Sequence, residues 1–273
     1  MLTHVLIPLR LKEQEQKTLS MGHLLQYFGT KKVSLVHVRA QNTSGKENQK
    51  LTEKIRSYAI HLRELGFEVD MYFKHGHVAS EIVSMAEELE VDFISMFWEG
   101  KRFLRKALLG NIESDVIRMA DLPIFVYKHS FFLAKEQKMS QAMYATNFQI
   151  TDSHVMPYLT NPDFSTQTLY ILHVGERAPD PWAEADRKQK IQQNLARLKN
   201  ECEHAFYQIN TVDVVGRPGP KVVHMAKHYG VDLLIIGKCD EQSTFEQIMG
   251  STAQLIADKA PCSIFIVPGE LRR

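Results

Sequence analysis

The sequence repeats itself, and a chain that repeats at a spacing near 140 residues has to fold as two copies of one domain rather than around one larger core. Displacement by 140 positions sets Gly76 on Gly216, Met85-Ala86 on Met225-Ala226 and Val91-Asp92 on Val231-Asp232. It also sets Gly110 on Gly250, Ala120 on Ala260 and Ile124-Phe125 on Ile264-Phe265. Near the start of each half the offset shrinks to 136, where His37-Val38 meets His173-Val174. Small insertions between elements account for the drift. The 273 residues suit two domains at ~100–200 residues each. The expected division is 1–130, a linker over 131–140, and 141–273. The linker SFFLAKEQKMSQ is too short to be a long tether, so tightly joined domains are expected.

Within each half, short apolar runs alternate with helical stretches. The first half has runs at His4 to Leu9, Val33 to Val38, Glu68 to Phe73, Phe93 to Phe97 and Ile124 to Tyr127. The second has Met143 to Thr146, Thr168 to Val174, Phe206 to Val214, Leu233 to Ile236 and Ser263 to Val267. Between them, Asn48 to Leu65 carries Leu51, Ile55, Tyr58, Ala59 and Leu62 on a 3.6-residue stripe, and Val78 to Leu89 carries Val78, Ile82, Val83, Met85 and Ala86. Strands alternating with helices predict an α/β fold: two doubly wound, parallel, five-stranded sheets with helices on both faces.

Composition narrows the function. Thirty-three basic against 32 acidic side chains leave a net charge of +1, which gives no electrostatic reason to expect nucleic acid or an acidic membrane as partner. Cys202, Cys239 and Cys262 form no CxxC pair, which argues against a disulfide framework or a cysteine zinc site. The N-terminus has no apolar run suited to a signal peptide, and nothing approaches ~18 consecutive apolar residues. The expectation is a reduced, cytoplasmic, soluble protein.

In an open α/β sheet, ligands sit beyond the carboxyl ends of the strands where strand order reverses, which here involves the loops after strands one and four. After strand four the first half reads Phe97-Trp98-Glu99-Gly100 and ends at Gly110-Asn111; the second reads Gly237-Lys238-Cys239-Asp240 and ends at Gly250-Ser251. This pattern resembles the universal stress proteins, over nearly the whole chain and twice. Nucleotide-binding members carry Gly, two residues, Gly, nine residues, Gly, then Ser or Thr after strand four, and an Asp after strand one. Glycines let backbone wrap phosphates, and a helix start offers free N–H groups.

The resemblance implies a strand order of 3-2-1-4-5, a stress-response or regulatory role without catalysis, and an ATP or other adenine-nucleotide site in the second half only. The implied residues are Asn147 at the Asp position, Val174 packing on the base, Gly237, Gly250 and Ser251. Asp240 stands where the second Gly belongs; its carboxylate would repel phosphates, with Lys238 offsetting part of that. In the first half only Gly100 and Gly110 match. Phe97 replaces the first Gly, Asn111 replaces Ser or Thr, and Arg10 stands in place of the Asp, so that site is read as lost. The basic cluster Lys101, Arg102, Arg105 and Lys106 would attract an anion, or form a solvated loop. The last strand of each half is expected to be an apolar edge, and the two are expected to pair within the chain as a pseudo-dimer. Further homo-oligomerisation through other surfaces stays open.

The alternative is a nucleotide-dependent enzyme on the same core, an adenylyl transferase or hydrolase. His75-Gly76-His77 and Lys138-Met139-Ser140 suggest it, but the His pair lacks the required spacing and follows strand three, and the Lys-Met-Ser lies in the linker. Cys202 with His204 and Glu201, and His224 with His228, offer too few ligands for a stable zinc site and read as surface residues. No metal site and no catalytic set is expected.

Overall fold

Central strands Val5-Leu6-Ile7 and Leu233 to Ile236 are apolar at successive positions, as strands must be when helices cover both faces of a sheet. The computed structural model describes residues 1–39, 45–98, 112–128, 139–161, 164, 166–238 and 251–269. The chain divides into two units, Met1–Leu133 and Ala134–Arg273.

The first unit runs β1 (His4–Pro8), α1 (Glu15–Tyr27), β2 (Lys32–Arg39), α2 (Gly45–Glu64), β3 (Glu68–His75), α3 (Val78–Glu88), β4 (Phe93–Phe97), α4 (Ile112–Met119) and β5 (Ile124–Tyr127). The second runs β6 (Gln141–Thr146), α5 (Thr151–Leu159), β7 (Thr168–Gly175), α6 (Pro181–Cys202), β8 (Gln208–Val215), α7 (Pro218–His228), β9 (Leu233–Lys238), α8 (Ser251–Lys259) and β10 (Ser263–Pro268). Strand order is β3-β2-β1-β4-β5 in the first and β8-β7-β6-β9-β10 in the second, the same 3-2-1-4-5 order twice. The strand pairings within each unit are parallel.

Each element follows from its residues. On α3, the apolar stripe buries Ala79, Ile82, Val83, Met85 and Ala86, and α7 does the same with Val222, Met225 and Ala226. Each fully buried large side chain, such as Phe93 or Phe265, contributes about 1.5–3 kcal/mol. Helix α6 starts where Pro181 follows Asp180, whose carboxylate accepts the Ala183 N–H at 2.9 Å. The outer strand β8 alternates burial along its length, whereas β9 is buried nearly throughout. The strand starts at Gln208, two residues past the expected Phe206, which is buried, and after Tyr207, which is exposed.

The duplicated residues have matching jobs. Asp92 Oδ2 accepts from the Thr3 N–H at 2.7 Å, the Thr3 hydroxyl at 2.8 Å and the His4 N–H at 2.9 Å. Asp232 Oδ2 accepts from the Ser140 N–H at 2.8 Å, the Ser140 hydroxyl at 3.2 Å and the Gln141 N–H at 2.9 Å. In each unit the carboxylate before strand four thus pins the beginning of strand one. Gly76 and Gly216 have φ of 145° and 152°, where a side chain is strained, which explains a glycine at that place in both halves.

Candidate functional site

Strand order reverses between β1 and β4 in the first unit and between β6 and β9 in the second, which opens a crevice at the carboxyl ends of those strands. Two non-glycine residues with positive φ mark equivalent places there: Leu11 at 60° after β1 and Phe148 at 59° after β6. The residues before them, Arg10 and Asn147, are therefore counterparts.

In the first unit, charged groups after β1 are paired with one another. Arg10 forms an ion pair with Glu113, a buried carboxylate in the first turn of α4. The backbone N–H groups of Arg10 and Lys12 donate to the carboxylate of Glu13 at 2.8 and 2.9 Å. Glu13 is buried as well, and its carbonyl accepts from the Tyr58 hydroxyl at 2.5 Å. Burial pushes the Tyr58 phenol up to about 12, so it stays a donor. Loop amides and the guanidinium that would meet a bound anion already hold two carboxylates of the same unit. Phe97, at the first glycine position, is buried at the end of β4.

The second crevice is arranged differently. Asn147 is exposed, and its Oδ1 accepts from the Gln149 N–H at 3.3 Å. Below it, the Thr146 hydroxyl donates to Asp152 Oδ1 at 2.7 Å and accepts from the Phe148 N–H at 2.8 Å. The Tyr144 hydroxyl donates to the same Asp152 oxygen at 2.5 Å; burial first, and the Asp152 carboxylate second, raise the Tyr144 phenol well above its ordinary value. Val174 is buried near the end of β7, and Ser251 opens α8. Alternation along β7 places Val174 and His173 on opposite faces of the sheet. Right-handed crossovers put α5 and α6 on one face and α7 with α8 on the other.

Gly237 also has a packing reason. A Cβ there would stand 2.6 Å from Thr151 Cβ and 2.8 Å from Thr151 Oγ1, so the missing side chain lets the first turn of α5 close on the end of β9. Of the remaining expected residues, Asp240 and Gly250 lie outside the described residues, as do Gly100, Lys101, Arg102, Arg105, Lys106, Gly110 and Asn111. Lys238 is buried at the end of β9. Among the described residues no group of three or more His, Cys, Asp or Glu could hold a metal. No described helix is long and apolar enough to cross a membrane.

Beside Asn147 lies a second layer that no local sequence pattern marks. The Phe148 ring stacks on the His173 imidazole, with centroids 4.7 Å apart and planes at 15°. His173 Nδ1 lies 2.9 Å from Asp213 Oδ1, and Arg187 lies between Asp213 and Glu184. Hydrogen bonds from Arg187 and from the Ala178 N–H hold the Glu184 carboxyl down to about 2. The one signal in the sequence was His173 itself, paired with His37 by the repeat.

This fold, with the strand order reversing between the first and fourth strands of each unit, is that of a tandem universal stress protein. The model of the universal stress protein family matches residues 2–128 and 165–268, and the chain belongs to that family. It is 36% identical over 83 residues to universal stress protein MJ0577 of Methanocaldococcus jannaschii, covering 29% of this chain and 51% of that protein. It is 26% identical over 115 residues to universal stress protein YxiE of Bacillus subtilis, covering 36% and 78%. The chain spans about half the length of the Methanocaldococcus relatives it matches. A crystal structure of a universal stress protein from Archaeoglobus fulgidus superposes with a TM-score of 0.74 over 97% of this chain and 96% of that one, at 18% identity. Protein PA1789 of Pseudomonas aeruginosa superposes with a TM-score of 0.67 over 98% and 92%, at 13% identity. At those identities the likeness is one of fold.

Proposed function

We propose that the protein is a regulatory binding module, not an enzyme, and that it takes an adenine nucleotide such as ATP in its second unit only. The observation that carries this reading is the contrast between the two crevices. In the first, Arg10 and the loop amides are engaged by Glu113 and Glu13. In the second, the counterpart of Arg10 is an exposed asparagine able to donate and accept hydrogen bonds to a base or ribose. Val174 and the start of α8 at Ser251 are on the same face of that sheet. The proposed contacts are Asn147, Val174, Gly237, Gly250 and Ser251, with Asp240 beside the phosphates. Asp240 is the one member of this set that ionises, which suits holding a ligand rather than exchanging protons with it.

The two units are proposed to pair through their last strands. Ile124–Tyr127 and Ser263–Pro268 are apolar and each is the last strand in the order of its own unit, and an apolar strand edge invites a partner strand. Cysteines placed at Val126 and Phe265 should then crosslink.

Incubation with ATP while following both binding and phosphate release tests the functional reading. Binding without turnover is expected. Steady release of ADP or pyrophosphate would instead establish the hydrolase or adenylyl transferase reading.

A further inference from the structure

The repeat singles out His37-Val38 and His173-Val174, yet only the valine has a place in the nucleotide reading. In both units the histidine meets the loop after the first strand. His37 Nδ1 lies 2.7 Å from the Leu9 carbonyl, within hydrogen-bonding distance of the backbone just before Arg10. His173 reaches the equivalent loop by a different contact, stacking face to face on Phe148, the residue after Asn147. Phe73 faces His37 edge-on at 6.3 Å, and the repeat sets Asp213 at that place in the second unit.

We propose that His173 is a positioning residue for the proposed nucleotide site: its imidazole, oriented by Asp213, is the platform that holds Phe148 and so fixes Asn147 at the crevice. This rests on the nucleotide reading for its consequence, but not for the clamp itself. Three observations carry it. Phe148 has a φ of 59°, a conformation unfavourable for a bulky residue, which persists only where its surroundings hold it. The Thr146 hydroxyl accepts from its N–H, and the His173 imidazole stacks on its ring. Gly175 adds the third: a Cβ there would stand 2.8 Å from His173 Cε1, 3.4 Å from Nε2 and 3.5 Å from Arg187 Nη1. The imidazole thus lies close against a backbone position that carries no side chain, where an added Cβ would displace it. The charged groups around it are Asp213 on β8 and, from α6, Arg187, whose Nη2 is 3.8 Å from Asp213 Oδ2, with Glu184 beyond. Asp213 fixes the ring from one side, with Arg187 beside that carboxylate, while Phe148 covers its face.

The test is hydrogen exchange at the Phe148 and Gln149 amides in the full chain without nucleotide, alongside ATP titration, in His173→Ala, His173→Phe and wild-type protein. A phenyl ring preserves the platform and loses the bond to Asp213. His173→Ala should speed exchange at those two amides by about three- to tenfold, the factor one aromatic pair supports. His173→Phe should restore it to within about twofold of wild type by the same measure. Gly175→Ala should behave like His173→Ala. Where ATP binds the wild-type chain, His173→Ala should weaken it by a similar factor and His173→Phe should not. Wild-type protein that binds no ATP would refute the nucleotide reading, while the exchange measurement still decides the clamp. Unchanged exchange in His173→Ala, equal acceleration in both variants, or acceleration spread along β7 and β8 would each overturn the proposal.

Discussion

Asp232→Ala removes a carboxylate oxygen that accepts three hydrogen bonds, two from backbone N–H groups and one from a hydroxyl. Asp232 is buried, while Ser140 and Gln141 are half-buried. Leaving a buried donor without a partner costs about 1–3 kcal/mol, and water can replace the Ser140 hydroxyl bond more readily than the two amide bonds, so the loss is about 3–5 kcal/mol. A domain has about 5–15 kcal/mol in all, so the second unit loses a large fraction of its stability. At this domain size the melting transition should fall by about 10–20 °C. Asp92→Ala is the internal control. Its three bonds have the same pattern, but Asp92 is half-exposed and Thr3 is exposed, so water recovers more of them and the loss is about half as large. Differential scanning calorimetry on the two variants measures both. A loss below about 1 kcal/mol for Asp232→Ala, or a larger loss for Asp92→Ala, would refute the reasoning.

Three further outcomes are expected. Gly237→Ala should cost the second unit about 1–3 kcal/mol in urea unfolding, because the new Cβ meets Thr151 Cβ, which no rotamer moves away. Glu184 is held at about 2 by Arg187 and the Ala178 amide, below its unfolded value. Its contribution to stability is therefore complete above about pH 4.5 and lost as pH falls toward the folded value, so the difference between wild type and Glu184→Gln should shrink over that window in an acid titration. Asp240→Gly removes a negative charge from the loop and should strengthen ATP binding several-fold, about 1 kcal/mol, as read by isothermal titration.

The sheet was legible because both faces of its strands are covered. Runs such as Phe93 to Phe97 admit few other readings, and that run forms β4 with the expected bounds. Helix α2 extends three residues before its expected start, since Gly45-Lys46-Glu47 carry no apolar residue to extend the stripe. The repeat showed that Asp92 and Asp232 matter without showing why; their bonds run to residues about 90 positions earlier, which no local pattern encodes. The same limit hid the Arg10 pairing, whose partner Glu113 is 103 residues away, and the Asp213 contact to His173, 40 residues away. Gly237 was legible as a motif residue, but its packing against Thr151 needs the turn of α5 in place. Local chemistry was readable, while what reaches each crevice across the sheet was not.

The most direct test of the account is isothermal titration of ATP into wild-type protein, Ser251→Arg and Gly110→Arg. Wild-type protein should show a single class of site, retained in Gly110→Arg and lost in Ser251→Arg. Binding that survives Ser251→Arg and vanishes in Gly110→Arg would place the nucleotide in the first unit and contradict it.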